Sequence, residues 1–200
     1  MRIGISINEV LRNFLGQLIY TYEKYIGELD INTSDVTDFD LIKSFPFVTE
    51  AEMKRFLYAG EGSLEVFGHA DEMTDGLMGH FNRFVLDLKD DGHYVELTGK
   101  EANKSIQSTF FYLSKTGCRI SDIRFVTDST KEWDGLDLLI TANPDALKNK
   151  PSGKISIKIN APYNTDAPAD YAFDSIVDFI KDFNLRDVVL NTKITTYEEI

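Results

Sequence analysis

Apolar positions along this chain change period several times. Residues 2–6 (RIGIS) read as a short buried strand. Val10, Leu11, Phe14, Leu15, Leu18, Ile19, Tyr22 and Ile26 then recur at helical spacing, which predicts a helix over residues 8–27 with Asn8 capping its start. Residues 28–48 are polar, broken by Pro46, and read as loop. Thr49 and Glu52 form a capping-box pattern ahead of a helix that Gly60 stops. A glycine-containing bend fills residues 61–72, and a helix over 74–90 ends at Gly92.

From there the alternation is regular. Strands are predicted at 93–97, 122–126, 136–141 and 154–160. Between them lie a helix over 100–117 with Ile106, Phe110, Phe111 and Leu113 inward, a short helix or turn at 129–134 and another at 144–148. A helix over 168–183 and a polar tail close the chain. Strands alternating with helical connections predict an α/β fold, a doubly wound parallel sheet with helices on both faces. Residues 28–72 break that rhythm and read as a small helical cap insertion, leaving 1–27 and 73–200 as the core domain.

Composition fits a globular chain: 200 residues, 42% hydrophobic and 27% charged. The formal net charge of −12 argues against direct nucleic-acid binding and against an anionic membrane surface, both of which need clustered Lys and Arg. It favours a basic protein partner. The lone cysteine, Cys118, cannot close an internal disulfide, so a reducing compartment is expected and the residue reads as a small apolar group. No signal peptide or membrane-length apolar run is visible. The expected location is the cytoplasm, or a particle assembled inside a cell.

Four stretches carry a resemblance. They are IGISINEVLRNF, YVELTGKE, STKEWDG and LDLLITANPDAL, followed by KISIKINAPYN. In this order they resemble the motifs of the haloacid dehalogenase (HAD)-like superfamily, and within it the small 5'-nucleotidase or deoxyribonucleotidase-like phosphatases. The resemblance runs from Arg2 to Asn164 and implies a HAD-like Rossmannoid sheet with a small cap. Carried over residue by residue, it places Ser6 where the family has its aspartate nucleophile and Asn8 where it has the proton-shuttling aspartate. Thr141 and Ala142 stand in place of the acidic pair that helps hold Mg²⁺. Thr98 and Lys131 match positions that touch the phosphoryl group, so they are the expected phosphate-binding residues.

The chemistry follows from those substitutions. Mg²⁺ prefers one or two carboxylates among hard oxygen ligands, and phosphoryl transfer depends on charge neutralisation. Serine is a poor nucleophile without an activating base. The expectation is therefore no catalysis by the family mechanism and no cofactor, Mg²⁺ entering only if the chain is an enzyme after all. The expected role is a structural or assembly subunit of a larger complex. The resemblance suggests a phage-encoded chain, hence a virion head–tail component. The alternatives are a phosphatase or 5'-nucleotidase-like hydrolase of a small phosphate ester, and a non-catalytic nucleotide- or phosphate-binding module.

Other features point less sharply. His69, Asp71, Glu72, Asp75 and His80 cluster in sequence but lack metal-ligand spacing, so no metal site is expected. Asp170, Asp174, Asp178 and Asp182 recur every four residues, which on a continuous helix makes one acidic row. That row is the expected partner-docking stripe, with Lys148, Lys150 and Lys154 as a complementary patch on another copy. The tail NTKITTYEEI is expected to pack on its own domain or on a partner.

Overall fold

Apolar stretches bounded by turns pair into one sheet of six strands, all parallel: β1 (Arg2–Ser6), β2 (Tyr94–Lys100), β3 (Ile123–Val126), β4 (Leu138–Thr141), β5 (Ile155–Ile159) and β6 (Tyr171–Phe173). The computed structural model describes residues 1–60 and 62–182, and the expected tail lies outside the described residues. The spatial order is β3-β2-β1-β4-β5-β6. Strand order reverses beside β1, and the carboxyl ends of strands at such a switch point form a crevice for ligands. β1 is buried on both faces because helices cover both sides of a parallel sheet. Gly4 is needed there: an added Cβ would come 2.3 Å from Leu136 Cδ1.

The helices are α1 (Phe14–Tyr25), α2 (Glu50–Tyr58), α3 (Leu77–Asp90), α4 (Lys104–Thr116), α5 (Pro144–Lys148) and α6 (Ile176–Lys181). Strand residues such as Ile5, Leu97 and Ile140 pack with Phe81 and Phe84 of α3 and Phe179 of α6 in the main core. A second cluster joins Phe14, Leu15, Leu18 and Tyr22 of α1 to Phe45, Phe47, Met53, Leu57 and Phe67 of the inserted segment. This cluster packs α1 against the inserted segment. Among the described residues, no helix is long and apolar enough to cross a membrane.

Several sequence expectations change. The first helix starts at Phe14, not at residue 8, and Asn8 does not cap it. Its caps are Asn13, whose Oδ1 accepts from Gly16 N at 3.0 Å, and Glu9, whose Oε1 accepts from Leu15 N at 2.7 Å. Residues 7–13 turn sharply instead. Leu11 N and Arg12 N both donate to Ile7 O, and Glu9 takes a φ of 56°. Leu113 is buried as expected, but Phe110 and Phe111 are half-exposed, and α4 also buries Ser105, Ser108, Thr109 and Tyr112. Small hydroxyl residues face inward because Leu64–Gly68, a π-helical turn, packs closely there. A Cβ on Gly68 would stand 3.3 Å from Ser108 O. At the second helix half of the expected capping box forms: Thr49 Oγ1 accepts from Glu52 N at 3.1 Å, while the Glu52 carboxylate accepts from Val48 N at 3.0 Å, one residue before the cap.

The acidic row is not formed. Tyr171–Phe173 is the edge strand β6, and α6 is only six residues long. Asp170 and Asp174 therefore precede the helix. Asp170 holds Lys150 Nζ at 2.8 Å and accepts from Ser156 N and Oγ at 2.7 and 3.0 Å. Asp174 accepts from Asn160 Nδ2 at 2.8 Å, and Asp178 from Ser175 Oγ at 2.6 Å. Asp182 is the C-terminal cap of α6. Lys150 and Lys154, expected to reach a second copy, are paired within the chain, Lys154 with Asp137 at 3.2 Å. A strand ladder to β5 outweighed the helical pattern of the preceding residues.

Candidate functional site at the carboxyl end of the sheet

The ends of β1, β2 and β4 bring three hydroxyls together. Ser6 Oγ lies 2.8 Å from Thr141 Oγ1 and 3.3 Å from Thr98 Oγ1, and all three side chains are buried. The parallel register sets Ser6 opposite Thr98. Thr141 Oγ1 also accepts from Asn143 N at 3.0 Å. Asn143 then caps α5, accepting from Asp145 N through its Oδ1. Ala142 is buried and contributes its backbone carbonyl, which accepts from Asn164 Nδ2 at 2.9 Å.

The residue that reaches this cluster from the turn after β3 is Glu132, not Lys131. Residues Ser129–Trp133 form a 3₁₀ turn. Its three-residue period puts Ser129 and Glu132 on the inner side and leaves Lys131 exposed. Two anchors hold the turn in that phase. Trp133 Nε1 donates to Ala146 O at 2.8 Å from a buried apolar pocket. The Arg124 guanidinium donates to the carbonyls of Lys131 and Glu132 at 2.7 and 3.0 Å. Glu132 Oε1 accepts from Asn143 Nδ2 at 2.6 Å, and Oε2 lies 3.4 Å from Ser6 Oγ. Burial pushes the Glu132 carboxyl up to about 7, and the Asn143 hydrogen bond only partly offsets this. Sequence reasoning missed Glu132. The only signal available was its neighbour Trp133, the chain's single tryptophan, whose ring is expected to turn inward.

Asn8 faces a different group. Its Oδ1 accepts from Arg12 Nε at 2.9 Å and also from Arg12 Nη2. Arg12 is fully buried. It donates to Phe67 O at 2.9 Å, to Thr109 Oγ1 at 2.6 Å and to Glu101 Oε1 at 2.5 Å. The rings of Phe67 and Tyr112 lie 4.9 and 5.4 Å from its guanidinium carbon. The cation therefore ties the cap to β1 and α4. The chain leaving for the cap and the chain returning from it are joined too, through Asn13 N to Asp71 O and Met73 N to Leu11 O.

Two connected hollows open from this cluster. The inner one, about 60 Å³, is lined by Ser6, Thr98, Lys100, Glu132, Asn143 and Tyr163 among others. The outer cleft, about 750 Å³, lies between cap residues such as Phe14, Met53 and Leu57 and core residues such as Ala102, Pro144 and Ala167. Its volume suits a small-molecule ligand. Phe39 and Tyr163 meet at the junction as tilted rings, centroids 5.2 Å apart and 51° between planes, with Lys100 Nζ 5.8 Å from the Phe39 ring. Lys100, not Lys131, is thus the cation that lines both hollows. His69 and Glu72 are spent elsewhere, His69 against Phe111 and Glu72 on Met78 N. Among the described residues, no group of three or more His, Cys, Asp and Glu is placed to hold a metal ion.

Solved structures share this architecture. The HAD-hydrolase YfnB of Bacillus subtilis, in a magnesium-bound form, matches with TM-score 0.59 at 11% identity, over 92% of this chain and 98% of its own. A phosphonoacetaldehyde hydrolase-like protein of Oleispira antarctica matches with TM-score 0.56 at 11% identity, over 94% and 93%. A β-phosphoglucomutase of Clostridium difficile matches with TM-score 0.53 at 12% identity, over 97% and 98%. The fold is that of the HAD superfamily. No family model matches the sequence, and no curated protein matches it by sequence either.

The HAD fold implies Mg²⁺ at the ends of β1 and β4, and the residues here do not fit it. Asn8 has its amide oxygen taken by a guanidinium, and Ser6 is hydrogen-bonded to Thr141. Thr141 Oγ1 already accepts from Asn143 N, and Ala142 has no side-chain oxygen. Among the described residues, Glu132 is the carboxyl that touches Ser6, and Asn143 holds it. Neutral oxygens already in use do not replace the water shell of a small dication.

Proposed function

We propose that this chain is a non-catalytic HAD-fold protein that acts by binding a small molecule in the cleft between cap and sheet. One observation carries the reading. Where this fold's phosphatases are expected to place a nucleophilic carboxylate, Ser6 presents a hydroxyl 2.8 Å from Thr141 and faces the carboxyl of Glu132. No anionic nucleophile stands on β1, and the acid that does face the cluster would repel a phosphoryl dianion instead of neutralising it. The cleft remains, lined by apolar side chains such as Phe14, Met53 and Leu57 and by charged ones such as Asp38, Lys54, Lys100 and Asp166, and it is large enough for a small molecule.

A screen of phosphate monoesters with Mg²⁺ tests this. The native protein is expected to show no turnover above a matched blank. Turnover that Ser6→Ala abolishes would overturn the reading. The variant carrying Ser6→Asp, Asn8→Asp, Thr141→Asp and Ala142→Asp serves as comparison.

A second reading, a subunit docked in a larger assembly such as a virion head–tail structure, draws on the face of α4, where Phe110 and Phe111 are 50% and 44% exposed. It predicts a stable oligomer by light scattering, or recovery with particles, lost in Phe110→Ser/Phe111→Ser.

A further inference from the structure

The two oxygens of Glu132 are served unequally. Oε1 has a short bond from Asn143 Nδ2, 2.6 Å. Oε2 has Ser6 Oγ at 3.4 Å, beyond the usual range for an O–H···O bond, and that hydroxyl lies only 2.8 Å from a better acceptor in Thr141. Glu132 is 2% exposed, so bulk water does not complete it. The carboxyl lines the inner hollow of about 60 Å³, room for a small head group entering from the cleft past Phe39 and Tyr163. A buried carboxyl short of donors, facing a hollow, is itself half of a binding site.

The sign of the charge decides what fits. Lys131 points to solvent, and the side chain aimed at Ser6 from the same turn is an acid. A phosphate group in the hollow would press like charge against Glu132. Lys100, at the junction, is the cation that lines the hollow. A group that donates hydrogen bonds meets Glu132 and the hydroxyls of Ser6 and Thr98 without that penalty.

We propose that the inner hollow receives the hydrogen-bond-donating head, an alcohol or a primary amine, of a ligand whose body lies in the cleft, and that it excludes phosphate. The inference rests on the non-catalytic reading and gives its ligand a chemical class.

Amide NMR of the full chain tests it with two probes, 2-aminoethanol and inorganic phosphate. In the native protein 2-aminoethanol is expected to shift the amides of Thr98 and Asn143 saturably at millimolar concentration, and phosphate is not. Glu132→Gln, which keeps the shape, is expected to weaken 2-aminoethanol about tenfold, the loss of one charge-assisted bond. Glu132→Lys is expected to exchange the preferences, so that phosphate shifts the same amides. Phosphate shifting them in the native protein, or 2-aminoethanol failing to, overturns the inference. If Glu132→Lys does not fold, the native and Glu132→Gln titrations still decide it. Turnover of a phosphate ester, by contrast, overturns the non-catalytic reading whichever probe binds.

Discussion

Arg12 Nη2 stands 2.5 Å from Glu101 Oε1, and neither side chain is reached by solvent. Thr109 bridges the pair, donating to Glu101 Oε2 at 2.5 Å while accepting from Arg12 Nη1 at 2.6 Å. Asn8 and the carbonyl of Phe67 take the remaining guanidinium donors. A buried ion pair is held at this junction because every donor on the cation has an acceptor.

Removing one partner leaves an uncompensated buried charge. Arg12→Met is expected to destabilise the chain by about 3–5 kcal/mol in urea unfolding. Arg12→Met with Glu101→Leu is expected to cost less than Arg12→Met alone, because no orphan charge remains. A double variant that costs the sum of the two single ones would show that the two side chains are not energetically coupled.

Glu132 and Glu9 set a pH dependence of unusual sign. Burial raises each from 4.5 to about 7 in the folded chain; backbone donors of Leu15 and Phe14 only partly offset this for Glu9. Between pH 4.5 and 7 the folded state therefore binds more protons than the unfolded state, and stability from these groups falls as pH rises. The full difference is roughly 3 kcal/mol for each carboxyl. Glu132→Gln, neutral at every pH, is expected to be more stable than the native chain at pH 8 and to lose that advantage at pH 4.5. Comparing the two proteins in urea cancels the titration of all other carboxylates.

Lys158 is a buried cation with carbonyl partners. Its Nζ lies 3.4, 3.3 and 3.3 Å from the carbonyl oxygens of Asn164, Thr165 and Ala167, which follow Tyr163 in the loop. Lys158→Met keeps the stem and removes the donors. The expected result is a loss of about 1–3 kcal/mol and faster amide exchange across residues 161–167. Unchanged exchange there would remove Lys158 as the anchor of Tyr163.

Asp170 closes the edge of the sheet, taking Lys150 and two donors of Ser156. Asp170→Ala is expected to cost about 1–3 kcal/mol in thermal or urea unfolding, since it strands partly buried donors. Lys54→Ala removes an exposed i,i+4 pair with Glu50 and is expected to cost under about 0.5 kcal/mol. Equal effects would mean that Asp170 is another surface charge.

Period and punctuation determined much of this protein. RIGIS, LDLLIT and KISIKIN each hold a strand of the structure, the first two as short apolar runs and the third as an alternation of isoleucines. Thr49 and Gly117 end their helices where local backbone chemistry requires. The hydroxyls Ser6, Thr98 and Thr141 were legible too, because strand ends in a parallel sheet meet at one edge. What the tertiary structure alone decided was direction and partnership. Whether Lys131 or Glu132 faces the site depends on the phase of a 3₁₀ turn, set by Trp133 and Arg124 from other elements. Whether Asp170 and Asp174 stand on a helix or on a strand edge depends on a vacant ladder at β5. Arg12, which reads as a surface charge, is buried because Glu101, Thr109 and Phe67, distant in sequence, supply its acceptors. Local pattern records what each residue prefers. Long-range contacts are made only once the chain closes, and they decided the charge that this site presents.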